Sequence, residues 1–222
     1  MDLKNPIIIP GTTRAGTTLI SEALVRAGVD MYGDWCMPYC EDADTWSYGV
    51  AEIKINPPSM AQFPHKYDAS LAFTDRLKGY AKRRRKQAKD SGKRWGFKDP
   101  IISRIMQPYL DVFPDAKWIF CVRNGLSCVW SQRKRGHMEH DDFGGLTRHT
   151  SYMFNFLTCM GMAGIEPFLY NYDGVQEDEE EALSEWLGFE VKFAEAFKRS
   201  VQSRKGGVGA GVAITDNEKG WM

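Results

Sequence analysis

Residues 7–20 read IIIPGTTRAGTTLI. Three isoleucines run into Gly11, Gly16 follows at phosphate-loop spacing, and Thr17-Thr18 lead into an apolar helical pattern. A short β-branched run that enters a glycine-bracketed turn and then a helix reads as a buried parallel strand followed by its crossover helix. The stretch is almost GxxxxGK[ST]: Thr18 holds the [ST] position, but Thr17 stands where that motif keeps its lysine. Such a turn presents backbone N–H groups and the positive end of a helix dipole to an anion. Arg14, at its apex, adds a side chain suited to a bidentate charge-assisted contact. The missing lysine, which in that motif reaches the β- and γ-phosphates, leaves open which phosphate ligand such a turn takes.

The chain around this stretch alternates strands and helices. Leu19, Ile20, Ala23, Leu24 and Ala27 recur at helical spacing up to a stop at Gly28. WGFK at 95–98 predicts a strand closed by Asp99-Pro100, KWIFCV at 117–122 a strand ending at Arg123, and FLYNY at 168–172 a further one. Phe73, Leu77, Tyr80 and Ala81 predict a helix whose far end, KRRRKQAK at 82–89, reads as a solvated basic face, with a patch for an anionic substrate as the alternative. Further helices are expected from about Leu126, from about Leu146 to Met162 with Met153, Leu157 and Met160 inward, and over an acidic segment with Leu183, Trp186 and Leu187 on its apolar face. Residues 29–69 carry Gly, Pro, Asp and aromatic residues without a clean period and predict a long loop region, as do residues 204–222 at the tail. The resulting fold class is α/β: a three-layer sandwich with a central parallel β-sheet flanked by helices, P-loop NTPase-like, in one domain over residues 1–222. Ligands of such sheets gather at the carboxyl ends of the strands. Gly11–Thr18, Lys98-Asp99 and Arg123 all fall there.

Composition narrows the partners. Lysines plus arginines equal aspartates plus glutamates at 29 each, which gives no global bias toward nucleic acid or a membrane surface. The five cysteines (36, 40, 121, 128 and 159) include a CxxxC pair with no second pair at zinc-site spacing, so no metal centre is expected. Cys121, in an apolar run, reads as a small buried hydrophobe, and His137 and His140 as a polar loop. Neither a secretory signal nor a spanning segment is evident, and a reduced, cytoplasmic setting is expected.

Arg123 and Ser131, eight residues apart across a strand end and the next helix, form a second candidate anion site. Two phosphate sites on one sheet edge suggest a ligand phosphorylated at both ends. With these residues in hand, the chain resembles the sulfotransferases that use 3′-phosphoadenosine 5′-phosphosulfate (PAPS), with motifs most similar to bacterial and tyrosylprotein-type enzymes. In that family a turn commonly written (R/K)SGTT holds the 5′-phosphosulfate; here it reads Arg14-Ala15-Gly16-Thr17-Thr18. An arginine at a strand end with a serine eight residues later holds the 3′-phosphate; here they are Arg123 and Ser131 in RNGLSCVWS, with Gly125 where proline is usual. FKDP at 97–100 resembles the family's KxP segment, and FLYNYDGV with an acidic helix ending WLGF resembles its late strand and helix. Arg204-Lys205-Gly206 resembles the RKG that closes over the 3′-phosphate, though without the tryptophan-bearing continuation.

The resemblance implies transfer of the sulfuryl group of PAPS to a hydroxyl or amine, with 3′,5′-diphosphoadenosine as product and no metal ion. The acceptor class stays open among small molecules, saccharides and peptides, as does the oligomeric state. Lys98 would neutralise charge on the leaving phosphate, assisted by Arg14. The general base is a choice among carboxylates. Phe97 stands where some relatives have glutamate, and no histidine lies between Lys98 and His137. In the tyrosylprotein- and trehalose-type enzymes that the chain resembles the base lies about twenty residues beyond the loop arginine, which from Arg14 implies Asp34, with Glu41, Asp42 and Asp99 as alternatives. The aromatic residues of the 29–69 region (Tyr32, Trp35, Tyr39, Trp46, Tyr48) suit either acceptor stacking or packing. Two other functions share the first loop: a P-loop kinase or NTPase, and a nucleotide-binding module without catalysis.

Overall fold

The computed structural model describes residues 5–31, 35–36, 41–55, 69–134, 142–194 and 196. Ile7–Ile9 (β1) is buried at every position because it lies inside a parallel sheet. Gly96–Lys98 (β4) pairs with it on one side and Lys117–Val122 (β5) on the other, while Phe168–Asn171 (β6) pairs with β5. The order β4-β1-β5-β6 is parallel throughout. A separate antiparallel pair, Trp35–Cys36 (β2) with Glu41–Asp42 (β3), runs beside β4.

Alternation along the strands divides the core in two, as the period-2 geometry of a strand requires. Ile8, Phe97, Trp118 and Phe120 face one layer, formed by Leu71–Ser91 (α3), Met106–Val112 (α4) and Asp142–Ala163 (α6). Ile7, Ile9, Ile119, Cys121 and Tyr170 face the other, formed by Thr17–Arg26 (α1) and Gln176–Leu187 (α7). This is the expected three-layer sandwich. Each fully buried side chain of this size contributes about 1.5–3 kcal/mol through removal from water.

Several local expectations are corrected. The 29–69 region is not loop throughout: β2, β3 and a helix, Ala43–Ile55 (α2), occupy part of it. Tyr48 of α2 packs against the core beneath Arg76 and is not an open stacking face. A 3-10 turn at Pro100–Arg104 and α4 lie between β4 and β5, where no element was expected. In α6 the inward face carries Asn155, Phe156, Cys159 and Met160, while Leu157 is 40% exposed. Met160 is inward and Met153 packs on the core as expected, so the departure is Leu157 alone, and the Asn155 side-chain amide is buried because it donates to the Ser103 carbonyl at 2.9 Å. Most of the basic run is solvated, but Arg84 is only 2% exposed. Its guanidinium lies over Trp95 and donates at 3.0 Å to both the carboxylate and the carbonyl of Asp30, so the buried charge is paired.

Candidate active site

The first turn sits where β1 hands over to α1. Gly16 caps the helix at φ 103°, in the left-handed region. A Cβ at Gly16 would collide with the Tyr172 ring, so the position is held by both conformation and space. Arg14 also has positive φ (73°), uncommon for a residue with a side chain. Strain of this kind persists only where surrounding contacts over-determine it. Those contacts come from the second motif.

Gly125–Arg133 (α5) is bound to the turn from one side. Arg14 Nε donates to Ser131 Oγ at 3.0 Å, Arg123 Nη1 donates to the Arg14 carbonyl at 3.1 Å, and Gln132 Nε2 donates to Thr13. The Cys128 thiol also approaches the Arg14 carbonyl, at 3.6 Å. The two anion motifs, read as separate sites from sequence, thus meet in one surface. Asn124 caps α5 by accepting from the Ser127 amide at 3.1 Å. Gly125 has a steric reason: a Cβ there would stand 2.5 Å from Leu146 Cδ1 and 3.3 Å from His149 Cδ2. Its replacement of the usual proline thus admits α6 close behind the turn.

The end of β6 completes the cluster. Tyr172 N donates to the Val122 carbonyl at 2.9 Å, which brings the residues after β6 beside those after β5. The Arg123 guanidinium lies 4.5 Å from the Tyr172 ring centroid, and its Nε faces Asp173 Oδ1 at 3.5 Å. Asp173 Oδ2 accepts from the Asn124 amide at 2.8 Å. The sequence reading did not single out Tyr172, Asp173, Gln132 or His149 as site residues. The signal for the first two was their place at a strand's carboxyl end.

The electrostatics of the cluster register on its buried thiol. Burial pushes Cys128 up to about 11, while Arg123 and Arg14 pull it down and Asp173 pushes it up. Burial lowers His149 from the ordinary histidine value, against an opposing hydrogen bond with the Arg123 backbone. Cys121 is raised by burial, against the opposing charge of Lys98. Cys121, Cys128 and Cys159 are free and buried, as small hydrophobes are.

Lys98 ends β4 opposite Ile9 and is buried, as are Ala15 and Thr17, whereas Thr18 is half-buried. Phe97 points to the opposite face, into the rings of Tyr80 and Phe113, each 5.5 Å away. A glutamate there would be desolvated in an aromatic core. Asp99 is fully buried and accepts from the Tyr109 hydroxyl at 3.4 Å. Glu41 and Asp42 form β3, whose backbone runs beside β4. Asp34, His137, His140 and Arg204-Lys205-Gly206 lie outside the described residues. Among the described residues no cluster of three or more His, Cys, Asp or Glu suited to a metal ion occurs, and no helix is long and apolar enough to cross a membrane.

Comparison with known proteins adds the following. The model of the sulfotransferase family matches residues 6–158. Sulfotransferase STF9 from Mycobacterium avium is similar in structure at TM-score 0.49 and 18% identity, over 90% of this chain and 67% of that one. Sulfotransferase STF1 from Mycobacterium tuberculosis H37Rv is similar at TM-score 0.46 and 15% identity, over 89% and 70% of the two chains. A deoxyadenosine kinase from M. mycoides, solved with dATP, is similar at TM-score 0.42 and 14% identity, over 82% and 99%. Among curated proteins no match is found.

Proposed function

The chain belongs to the sulfotransferase family, and we propose that it moves the sulfuryl group of PAPS in line to a hydroxyl or amine acceptor. The observation that carries this reading is the clasp between the turn at Arg14 and the pair Arg123–Ser131. Ser131 Oγ accepts from Arg14 Nε and keeps its own O–H to donate to a phosphate oxygen. Arg123 has five N–H donors, more than one carbonyl and one carboxylate consume. Both groups therefore have donors for a 3′-phosphate while they hold the turn. Gly16, Thr17 and Thr18, at the start of α1, have first-turn amides without intrahelical acceptors, which suits the 5′-phosphosulfate together with Arg14 and Ala15. Arg204-Lys205-Gly206 closes over the 3′-phosphate in this reading.

PAPS supplies an activated sulfuryl group whose bond to the phosphate oxygen breaks as the bond to the acceptor forms. Lys98, at the end of β4, neutralises the charge that develops on the leaving phosphate, and Arg14 assists. Asp34 takes the acceptor's proton; the approach of β3 to β4 supports Glu41 and Asp42 as the rival pair. The acceptor is a small molecule, a saccharide or a peptide, bound beside the 29–69 region. Transfer of labelled sulfate from PAPS to a panel of these acceptor classes tests the proposal. Labelled product with at least one class, lost in Lys98→Ala, supports it; tight donor binding without transfer to any class returns the chain to a binding module.

A further inference from the structure

Arg123 is held from three directions, and one of its neighbours carries the opposite charge to the site. Tyr172 lies against the guanidinium face at 4.5 Å, and the Arg14 carbonyl takes Nη1 at 3.1 Å. Asp173 does two things at once: Oδ1 faces Arg123 Nε at 3.5 Å, and Oδ2 accepts from the Asn124 amide at 2.8 Å. Its own amide donates to Asn171 Oδ1 at 3.2 Å, which fixes the carboxylate's origin at the end of β6. The carboxylate thus links the strand end carrying Arg123 to the first residue of the α5 turn, at a place where a negative charge repels any bound phosphate.

We propose that Asp173 is a positioning residue for the donor's 3′-phosphate, aiming Arg123 and the Asn124–Gly125 turn at it across the end of the sheet. The inference rests on the reading that Arg123 binds that phosphate. Two effects of the carboxylate compete. Its charge weakens anion binding through repulsion, while its ion pair with Arg123 Nε and its bond from the Asn124 amide hold the arginine and the turn in one arrangement. At 43% exposure of the Asp173 side chain, solvent screens both the repulsion and the ion pair, while the 2.8 Å hydrogen bond from the Asn124 amide keeps the carboxylate at the turn beside Arg123. Orientation therefore dominates, and removal of the acid weakens 3′-phosphate recognition.

The sign of the effect is the test. Calorimetric titrations compare 3′,5′-diphosphoadenosine with AMP, which lacks the 3′-phosphate, in the wild-type chain, Asp173→Ala, Asp173→Asn and Arg123→Ala. Asp173→Ala should cut the preference for the 3′-phosphate about tenfold with little change in AMP affinity, on the scale seen when an outer partner of a ligating group is lost. Asp173→Asn keeps an acceptor for the Asn124 amide and should recover part of the preference, and it serves also if the alanine variant is unstable. A folding defect alone would weaken both nucleotides equally. A preference unchanged or increased in both Asp173 variants, with Arg123→Ala still abolishing it, overturns this inference alone. A preference unchanged in Arg123→Ala overturns the donor reading and this inference with it.

Discussion

Arg14 Nε donates to Ser131 Oγ at 3.0 Å, joining residues 117 positions apart in the chain. This bond makes the turn after β1 and the helix after β5 a single unit. Residues that act as a unit lose less together than the sum of their separate losses. Arg14→Ala and Ser131→Ala should each weaken 3′,5′-diphosphoadenosine about tenfold, and the double variant should fall short of additivity by about 0.5–3 kcal/mol. Titration of the three variants measures the coupling; strictly additive losses would place the two motifs in independent sites.

Gly16 is held at φ 103° beneath the Tyr172 ring. Gly16→Ala forces a side chain into a left-handed conformation and into that ring, and should destabilise the fold by more than about 1 kcal/mol. Donor affinity should fall with it. Thermal melts check the first effect, and Tyr172→Ala in the same chain should relieve the collision but not the backbone strain. Full recovery of stability in the double variant would show that conformation plays no part.

His149 lies behind Gly125, with its folded-state value lowered by burial. An unfolded histidine takes up a proton near pH 6.5. As pH falls below that value the unfolded state binds the proton before the folded state does. The stability that His149 contributes is therefore present above this range and lost as pH falls through it. Between pH 7.5 and 5.5 the wild-type melting temperature should drop further than that of His149→Gln. Parallel curves would remove His149 from the pH response.

The carboxylates after α1 separate binding from chemistry. Asp34→Asn should leave donor affinity almost unchanged and lower turnover by 10²–10⁴-fold, the usual scale of general-base assistance. Glu41→Gln and Asp42→Asn should then have much smaller effects, while Lys98→Ala also slows transfer. Steady-state rates at saturating donor decide the matter. A collapse in Glu41→Gln with Asp34→Asn near normal moves the base to the strand beside β4.

The fold was legible where a single physical signal dominates. Ile7–Ile9 and KWIFCV are strands because β-branched and aromatic runs suit a sheet buried on both faces, and both were readable to within a residue. α2 was hard to read because the fully buried positions among its described side chains, Thr45, Gly49 and Glu52, carry no hydrophobic signal at helical spacing. Glu52 is inward because it accepts from the amide and hydroxyl of Ser70 at 2.7 and 2.5 Å, capping α3 from outside. Arg84 looks like its neighbours in KRRRKQAK, and contacts remote in sequence, with Trp95 and with Asp30 54 positions away, distinguish it. The site divides in the same way. Gly11–Thr18, Arg123 and Ser131 are local motifs, whereas the contacts of Tyr172, Asp173 and His149 with them exist only once β6 and α6 have packed.

Calorimetric titration of the wild-type chain with 3′,5′-diphosphoadenosine, AMP and ATP–Mg²⁺, the first two in EDTA, tests the central claim most directly. The account predicts that 3′,5′-diphosphoadenosine binds about tenfold to a hundredfold tighter than AMP, as one charged contact of about 1.5–3 kcal/mol requires. It also predicts that ATP–Mg²⁺ binds more weakly than 3′,5′-diphosphoadenosine, and that Arg123→Ala erases the difference from AMP. Tighter binding of ATP–Mg²⁺, with AMP and 3′,5′-diphosphoadenosine indistinguishable, would contradict it.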